Sequence, residues 1–184
     1  MQNLRSHMNG FTLVEVLVVL ALMAILHTIA SPAMSAIVNS ARLGTAAQSF
    51  HVSLQLSRSE AIKRNGRVVV CKSDNGKRCS KTGGWEQGWL VFHDINNNAD
   101  VDAGEIVLQW EQALSGSARL TGNAMVASYI SYTPQGQTSL VSGAFQAGTV
   151  TACQASNIPA QARQIVISST GRVRTQKVLL SACA

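Results

Sequence analysis

Glu15 is the one acid among the twenty residues from Phe11 to Ala30, FTLVEVLVVLALMAILHTIA. Inside an apolar helix a lone carboxylate costs about 2.5–3.5 kcal/mol near a bilayer centre, so it requires a shallow position or a cationic partner. Far along the chain, Arg172 and Arg174 stand two apart behind Gly171. On a strand such residues share a face, which would present guanidiniums about 7 Å apart, a spacing suited to contacting successive phosphates. Cys71, Cys79, Cys153 and Cys183 could bridge or hold zinc. Asp94, Asn96, Asn98, Asp100, Asp102 and Glu105 occupy the ligand positions of a twelve-residue calcium loop.

The element that must carry Glu15 is a helix: twenty residues at 1.5 Å rise give about 30 Å, the thickness of a bilayer hydrocarbon core. Before it, MQNLRSHMNG carries Arg5 and His7 and no acid. A secretory signal peptide would put its apolar region ahead of the cleavage site; here the order is reversed. Cleavage between Gly10 and Phe11 would leave the helix on the mature chain, with a free amine on Phe11 one helical turn from Glu15. In an array of related helices, a staggered neighbour could offer its amine to this carboxylate. The alternative is an ordinary single-pass anchor.

The coincidence of glycine, Phe-Thr-Leu, the glutamate and the apolar run resembles the class III leader and first helix of type IV pilins and of the pseudopilins of type II secretion. That resemblance implies cleavage after Gly10 and N-methylation of Phe11 by a prepilin peptidase, an assembly role for Glu15, and a helix kink at Pro32. It also implies other pilins as partners in a helical fibre. The chain would lie in the bacterial inner membrane before assembly, and in a pilus or pseudopilus, periplasmic or at the cell surface, afterwards. The expected divisions are a leader over 1–10, a membrane-spanning helix half over 11–31, an amphipathic half over 32–65 and a β-rich head over 66–184.

A basic leader keeps the N-terminus cytoplasmic, which puts all four cysteines on the oxidising side. Four cysteines allow three pairings, among which the sequence alone does not choose. The favoured set joins Cys71 to Cys79 around Asp74-Asn75-Gly76 and Cys153 to Cys183 at the C-terminal tail. Zinc is disfavoured, because no CxxC pair exists and His51 and His93 are not at ligand spacing. About 150 residues beyond the apolar helix suffice for one globular head. Ile37, Leu43, Ala47, Phe50, Leu54 and Ala61 recur at helical steps and predict one core-facing stripe, closed by Asn65-Gly66 as a C-cap signal. Short β runs follow at 68–71, 89–93, 105–110, 128–133, 149–153, 164–168 and 173–180. The fold class is α+β, a type IV pilin fold with a long N-terminal helix packed on antiparallel sheet.

The acidic loop departs from a calcium site at its sixth position, Ala99 in place of glycine, and strand patterns flank it. A polar connection whose side chains bond their own backbone is the favoured reading, with no metal or other cofactor. Trp85 and Trp89 are expected in the core and its rim rather than on a base-stacking platform, and Trp110 in an apolar strand. His27 could titrate or pair across helices, though such a residue more often sits near an interface or against a neighbour.

RSEAIKRNGRVVVCK, then WEQGWLVF, DINNN and TGRVR, together resemble the GspH/FimT family of minor pilins and pseudopilins. The likeness covers nearly the whole mature chain and is weakest between Ala113 and Gly148. The net charge is +6, and two basic groups carry it: Lys63, Arg64, Arg67, Lys72, Lys77, Arg78 and Lys81, then Arg163, Arg172, Arg174 and Lys177. The default reading of each is a solvated face; the other is a polyanion footprint. Gly-Arg-x-Arg resembles the DNA-binding tail motif of FimT-type minor pilins in naturally competent bacteria. By that likeness Arg172 and Arg174 contact phosphate, Lys177 supports them, Gly171 makes the turn, and DNA is a partner. In an unbroken strand Val178 and Leu180 would share the face of Arg172 and Arg174, so a bulge or loop near Gln176 and Lys177 is expected. The alternative function is a structural minor pilin or type II pseudopilin H that primes fibre assembly without a ligand. An enzyme is not expected, since no nucleophile, base and orienter stand at catalytic spacing.

Overall fold

The computed structural model describes residues 12–156 and 158–183, the side chains of residues 29–33, 35 and 36 excepted. Among the described residues one α-helix, α1 (Leu13–Arg64), precedes eight strands: β1 (Arg67–Lys72), β2 (Trp89–Asp94), β3 (Val107–Glu111), β4 (Ala118–Gly122), β5 (Tyr129–Tyr132), β6 (Gly148–Gln154), β7 (Ala160–Ile167) and β8 (Val173–Leu180). The helix ends where Asn65-Gly66 predicts. Asn65 takes a left-handed φ of 49° and the Gly66 amide turns back to the Ala61 carbonyl at 3.2 Å, satisfying an end carbonyl.

The chain divides into two compact units, Met1–Asn39 and Ser40–Ala184. In the first, the described apolar side chains of α1 are exposed, Ile37 among them at 64%. The expectation that Ile37 joins the core stripe is corrected: the stripe starts at Leu43, within the second unit. Among the described residues no helix is long and apolar enough to cross a membrane.

In the second unit, Leu43, Ala47, Phe50, Leu54 and Ala61 lay one face of α1 on the strands, which confirms an α+β architecture. Two four-stranded antiparallel sheets form, in the orders β3-β2-β1-β5 and β4-β6-β7-β8. The unforeseen β4 starts the second of them. Its five residues, ARLTG, run between Gly116 and the Gly122-Asn123 pair, so their alternation reads as turn chemistry until pairing with β6 reveals it.

Val-Val-Val-Cys of β1 and Trp-Leu-Val-Phe of β2 are unbroken apolar runs because both faces of that sheet are covered. Val68, Val70, Trp89 and Val91 face the main core, where Phe50 meets Trp85 and Trp89 edge-on at centroid distances of 4.9 and 5.1 Å. Both indoles find acceptors, Trp85 at the Val126 carbonyl and Trp89 at Ser53 Oγ, each at 2.9 Å, so neither buried ring leaves an unpaired N–H. Val69, Cys71, Leu90 and Phe92 form the outer layer under Cys79, Ala99, Val101 and Tyr129. Cys71 bonds to Cys79 and Cys153 to Cys183, the favoured pairing.

Candidate functional site

The β7–β8 hairpin shapes the basic tail motif. After the last pair, Ile167 with Val173, the Ser168 and Arg172 backbones bond at 3.0 Å and the Gly171 amide donates to the Ser168 carbonyl at 2.9 Å. Ser168 Oγ accepts the Arg172 amide at 3.2 Å. Gly171 is buried with φ +78°, and a Cβ there would overlap the Gly136 carbonyl oxygen, so the turn requires glycine twice over. Neighbours fix the turn further. The Thr138 amide and hydroxyl donate to the Ser169 and Ser168 carbonyls at 3.1 and 2.9 Å, and Arg58 Nη2 donates to the Thr170 carbonyl at 3.4 Å.

On this rigid turn Arg172 and Arg174 are exposed, and neither has an ion pair or side-chain hydrogen bond among the described residues. With Val166, Ser168, Thr170 and Val173 they line a groove of about 420 Å³. The expected bulge or loop near Gln176 and Lys177 is absent. β8 pairs with β7 in unbroken register from Val173 to Leu180, and the conflict is resolved along the strand instead. Toward the turn that outer face carries Arg174; toward its far end Val178 and Leu180 pack on the Cys153–Cys183 bridge and Ala162. The same alternation separates Lys177 from Arg174. Thr175 faces α1, where its hydroxyl meets His51 Nδ1 at 3.0 Å, and Lys177 shares that side.

The other basic group is mostly engaged within the protein. Lys63 and Arg64 pair with Glu60 at 3.4 and 2.6 Å, which holds the Glu60 carboxyl below its usual range, the Arg64 hydrogen bond first. Arg67 donates to Asn97, Ser131 and Ser139. Lys72 is 4% exposed with Nζ 2.8 Å from the Gly83 carbonyl, and burial pushes its pKa down. This group therefore offers a weaker polyanion footprint than its sequence suggests.

The acidic loop binds itself. Asp94 accepts the Asn98 and Ala99 amides at 3.1 and 3.0 Å, and Glu105 accepts those of Ile95 and Asp102 at 2.8 and 3.1 Å. Asp102 takes the Asn96 and Asn98 side-chain amides at 2.8 and 2.6 Å. Trp85 and Trp89 are fully buried, whereas Trp110 is 44% exposed, its ring over Gly76 of the Cys71–Cys79 loop.

At the other end of the chain, Gly10 and Phe11 lie outside the described residues, as does the side chain of Pro32. Glu15 is exposed in the first turn of α1, and its amide donates to Thr12 Oγ1 at 3.2 Å. His27 is exposed on the same helix. Sequence reasoning missed Thr12, although Thr-x-x-Glu ahead of an apolar run is a capping signature. It also missed Arg58, for which the sequence carries no signal because the hydrogen bond spans 112 positions.

The model of the family described as Type II transport protein GspH matches residues 46–171. That of the prokaryotic N-terminal methylation motif matches residues 5–31. The fold is similar to that of the type IV minor pilin FimU of Pseudomonas aeruginosa, with TM-scores of 0.57 and 0.54 to two crystal structures at 18% and 19% identity. Each match covers 77% of this chain and 95% or 100% of the other. It is also similar to the minor pseudopilin EpsH of the Vibrio cholerae type 2 secretion system, with a TM-score of 0.50, 14% identity, and coverage of 73% and 96%. No curated protein matches the chain.

Proposed function

Because the chain belongs to the GspH family and is a minor pilin or pseudopilin with an N-terminal methylation motif, we propose that it enters a type IV pilus near its tip and captures extracellular double-stranded DNA there, without sequence preference, for natural transformation. A prepilin peptidase removes residues 1–10 and methylates Phe11. The apolar helix then holds the chain in the inner membrane, and Glu15 pairs with the amine of a neighbouring subunit during assembly. The observation that carries the DNA reading is the Arg172–Arg174 pair, exposed beside a groove on a turn locked by buried Gly171, with no carboxylate competing for it among the described residues.

Contacts of this kind are to phosphate, so they position the duplex without reading its sequence. Each phosphate neutralised contributes about −0.9 to the slope of log K against log salt. Full-length protein in nonionic detergent, titrated against a duplex of about 30 base pairs by fluorescence anisotropy, tests this. Arg172→Ala with Arg174→Ala should weaken binding at least tenfold and reduce the slope by about 1.8. Equal binding by wild type and this variant would sink the reading.

One observation favours a second reading. A pseudopilin shares the fold, and the family description names a transport protein, which supports a structural subunit of a type II secretion pseudopilus. That subunit would assemble normally and leave the anisotropy flat.

A further inference from the structure

Acids are absent from the last 73 residues, after Glu111, and none stands in α1 between Ser40 and Ser59. The sheet β4-β6-β7-β8 is therefore built entirely without carboxylates, yet it carries Arg119, Arg163, Arg174 and Lys177. Arg119 pairs with Glu86 at 3.3 Å. Arg163 and Lys177 do something else: they stand directly opposite each other across β7 and β8, on the side facing α1. Like charges so placed destabilise a sheet. Neither makes an ion pair or side-chain hydrogen bond among the described residues that would offset the repulsion.

Their position along α1 is defined. Arg163 Nη2 lies 3.9 Å from where a Cβ on Gly44 would stand, His51 meets Thr175, and Arg58 reaches Thr170. Gly44, His51 and Arg58 are seven apart, so one stripe of the helix follows β8 from the Arg163–Lys177 pair to the Gly171 turn. β8 is an edge strand, and among the described residues its outer backbone edge has no partner. From Arg172 to Lys177 is five residues, about 17 Å, which is the axial rise of about five phosphates on one strand of a duplex.

We propose that Arg163 and Lys177 form a second phosphate-binding position, so that a nucleic-acid backbone lies along the free edge of β8, held at one end by Arg172 and Arg174 and at the other by this pair. This rests on the DNA reading above and extends it: Lys177, a supporting charge in that reading, acts with Arg163, which the tail motif does not include, at a separate position on the other face of β8. The repulsion between the two cations is relieved when a phosphate sits between them.

The test uses full-length protein in nonionic detergent and the same duplex, between 50 and 200 mM salt. Arg163→Gln with Lys177→Gln should weaken binding at least tenfold at 50 mM and lower the salt slope by about 0.9, the share of the one phosphate held between them, while the thermal midpoint stays at or above that of wild type. The charge-conserving pair Arg163→Lys with Lys177→Arg should bind as wild type. Unchanged affinity and slope in the glutamine variant would overturn the proposal. So would equal loss in the charge-conserving variant, which would make the pair's role one of packing. Intact DNA binding with lost fibre incorporation would likewise overturn it, assigning the pair to an acidic neighbouring subunit. If wild type itself fails to bind duplex, the DNA reading falls and this one with it; if only the Arg172 and Arg174 variant loses binding, this one falls alone.

Discussion

The Glu15 amide donates to Thr12 Oγ1 at 3.2 Å, which makes Thr12 the N-cap of α1 and sets Glu15 at its third helical position. A carboxylate there faces the positive end of the helix dipole, a stabilisation of about 0.3–1 kcal/mol. The cap thus fixes the acid in the first turn of α1. Glu15→Gln should preserve membrane insertion and block incorporation into fibres, as read by fractionation and by immunoblot of sheared fibres. Normal incorporation would show that no ion pair at this carboxylate drives assembly.

The two bridges close loops of different length, with sequence separations of 8 for Cys71–Cys79 and 30 for Cys153–Cys183. On loop-closure entropy alone the first stabilises by about 2.5 kcal/mol and the second by about 3.6 kcal/mol. The second also packs against Val178 and Leu180, so its loss loosens the far end of β8. Cys153→Ala with Cys183→Ala should therefore lower stability more than Cys71→Ala with Cys79→Ala in denaturant unfolding. The reverse order would mean that the covered outer face of β1 and β2 depends on its bridge more than the tail does.

Gly171 combines a φ of +78° with a backbone neighbour where a side chain would begin. Gly171→Ala should cost about 2–3 kcal/mol, a fall of about 4–12 °C in thermal midpoint for a domain of this size. Both arginines remain in that variant, yet their turn is displaced, so duplex affinity should fall with stability. Affinity unchanged in the folded variant would show that the arginines act without the turn.

Much of this was legible in the chain because the signals are local. The helix end at Asn65-Gly66, the apolar runs of β1 and β2 and the short Cys71–Cys79 loop each lie within a few residues of their cause. What was not legible depends on pairing. β4 shows as a strand only beside β6, and the two sheets only through strand order. The conflict on β8 suggested a bulge, whereas the structure splits the face lengthwise, using a bridge from residue 153 to cover the apolar half. The cationic site was legible as composition; its division between two faces of β8 required the register.

Asp94 supplies a pH signature of the loop. It is 1% exposed, and burial raises its pKa above the ordinary 3.8 while the Ala99 and Asn98 amides oppose the rise. A carboxyl raised on folding holds its proton more tightly in the folded chain, so its contribution to stability falls as pH climbs from about 3.8 through the folded value and is flat above it. Glu60 and Asp102 are shifted the other way, by the Arg64 hydrogen bond and by the Asn96 amide first, and their contributions grow over the acid range. The total slope mixes these opposing effects, and comparison with Asp94→Asn isolates one of them. Unfolding free energies of both chains between pH 3 and 6 should show the wild-type advantage shrinking as pH rises. An advantage that grows would mean that the two backbone amides, rather than burial, govern this carboxyl.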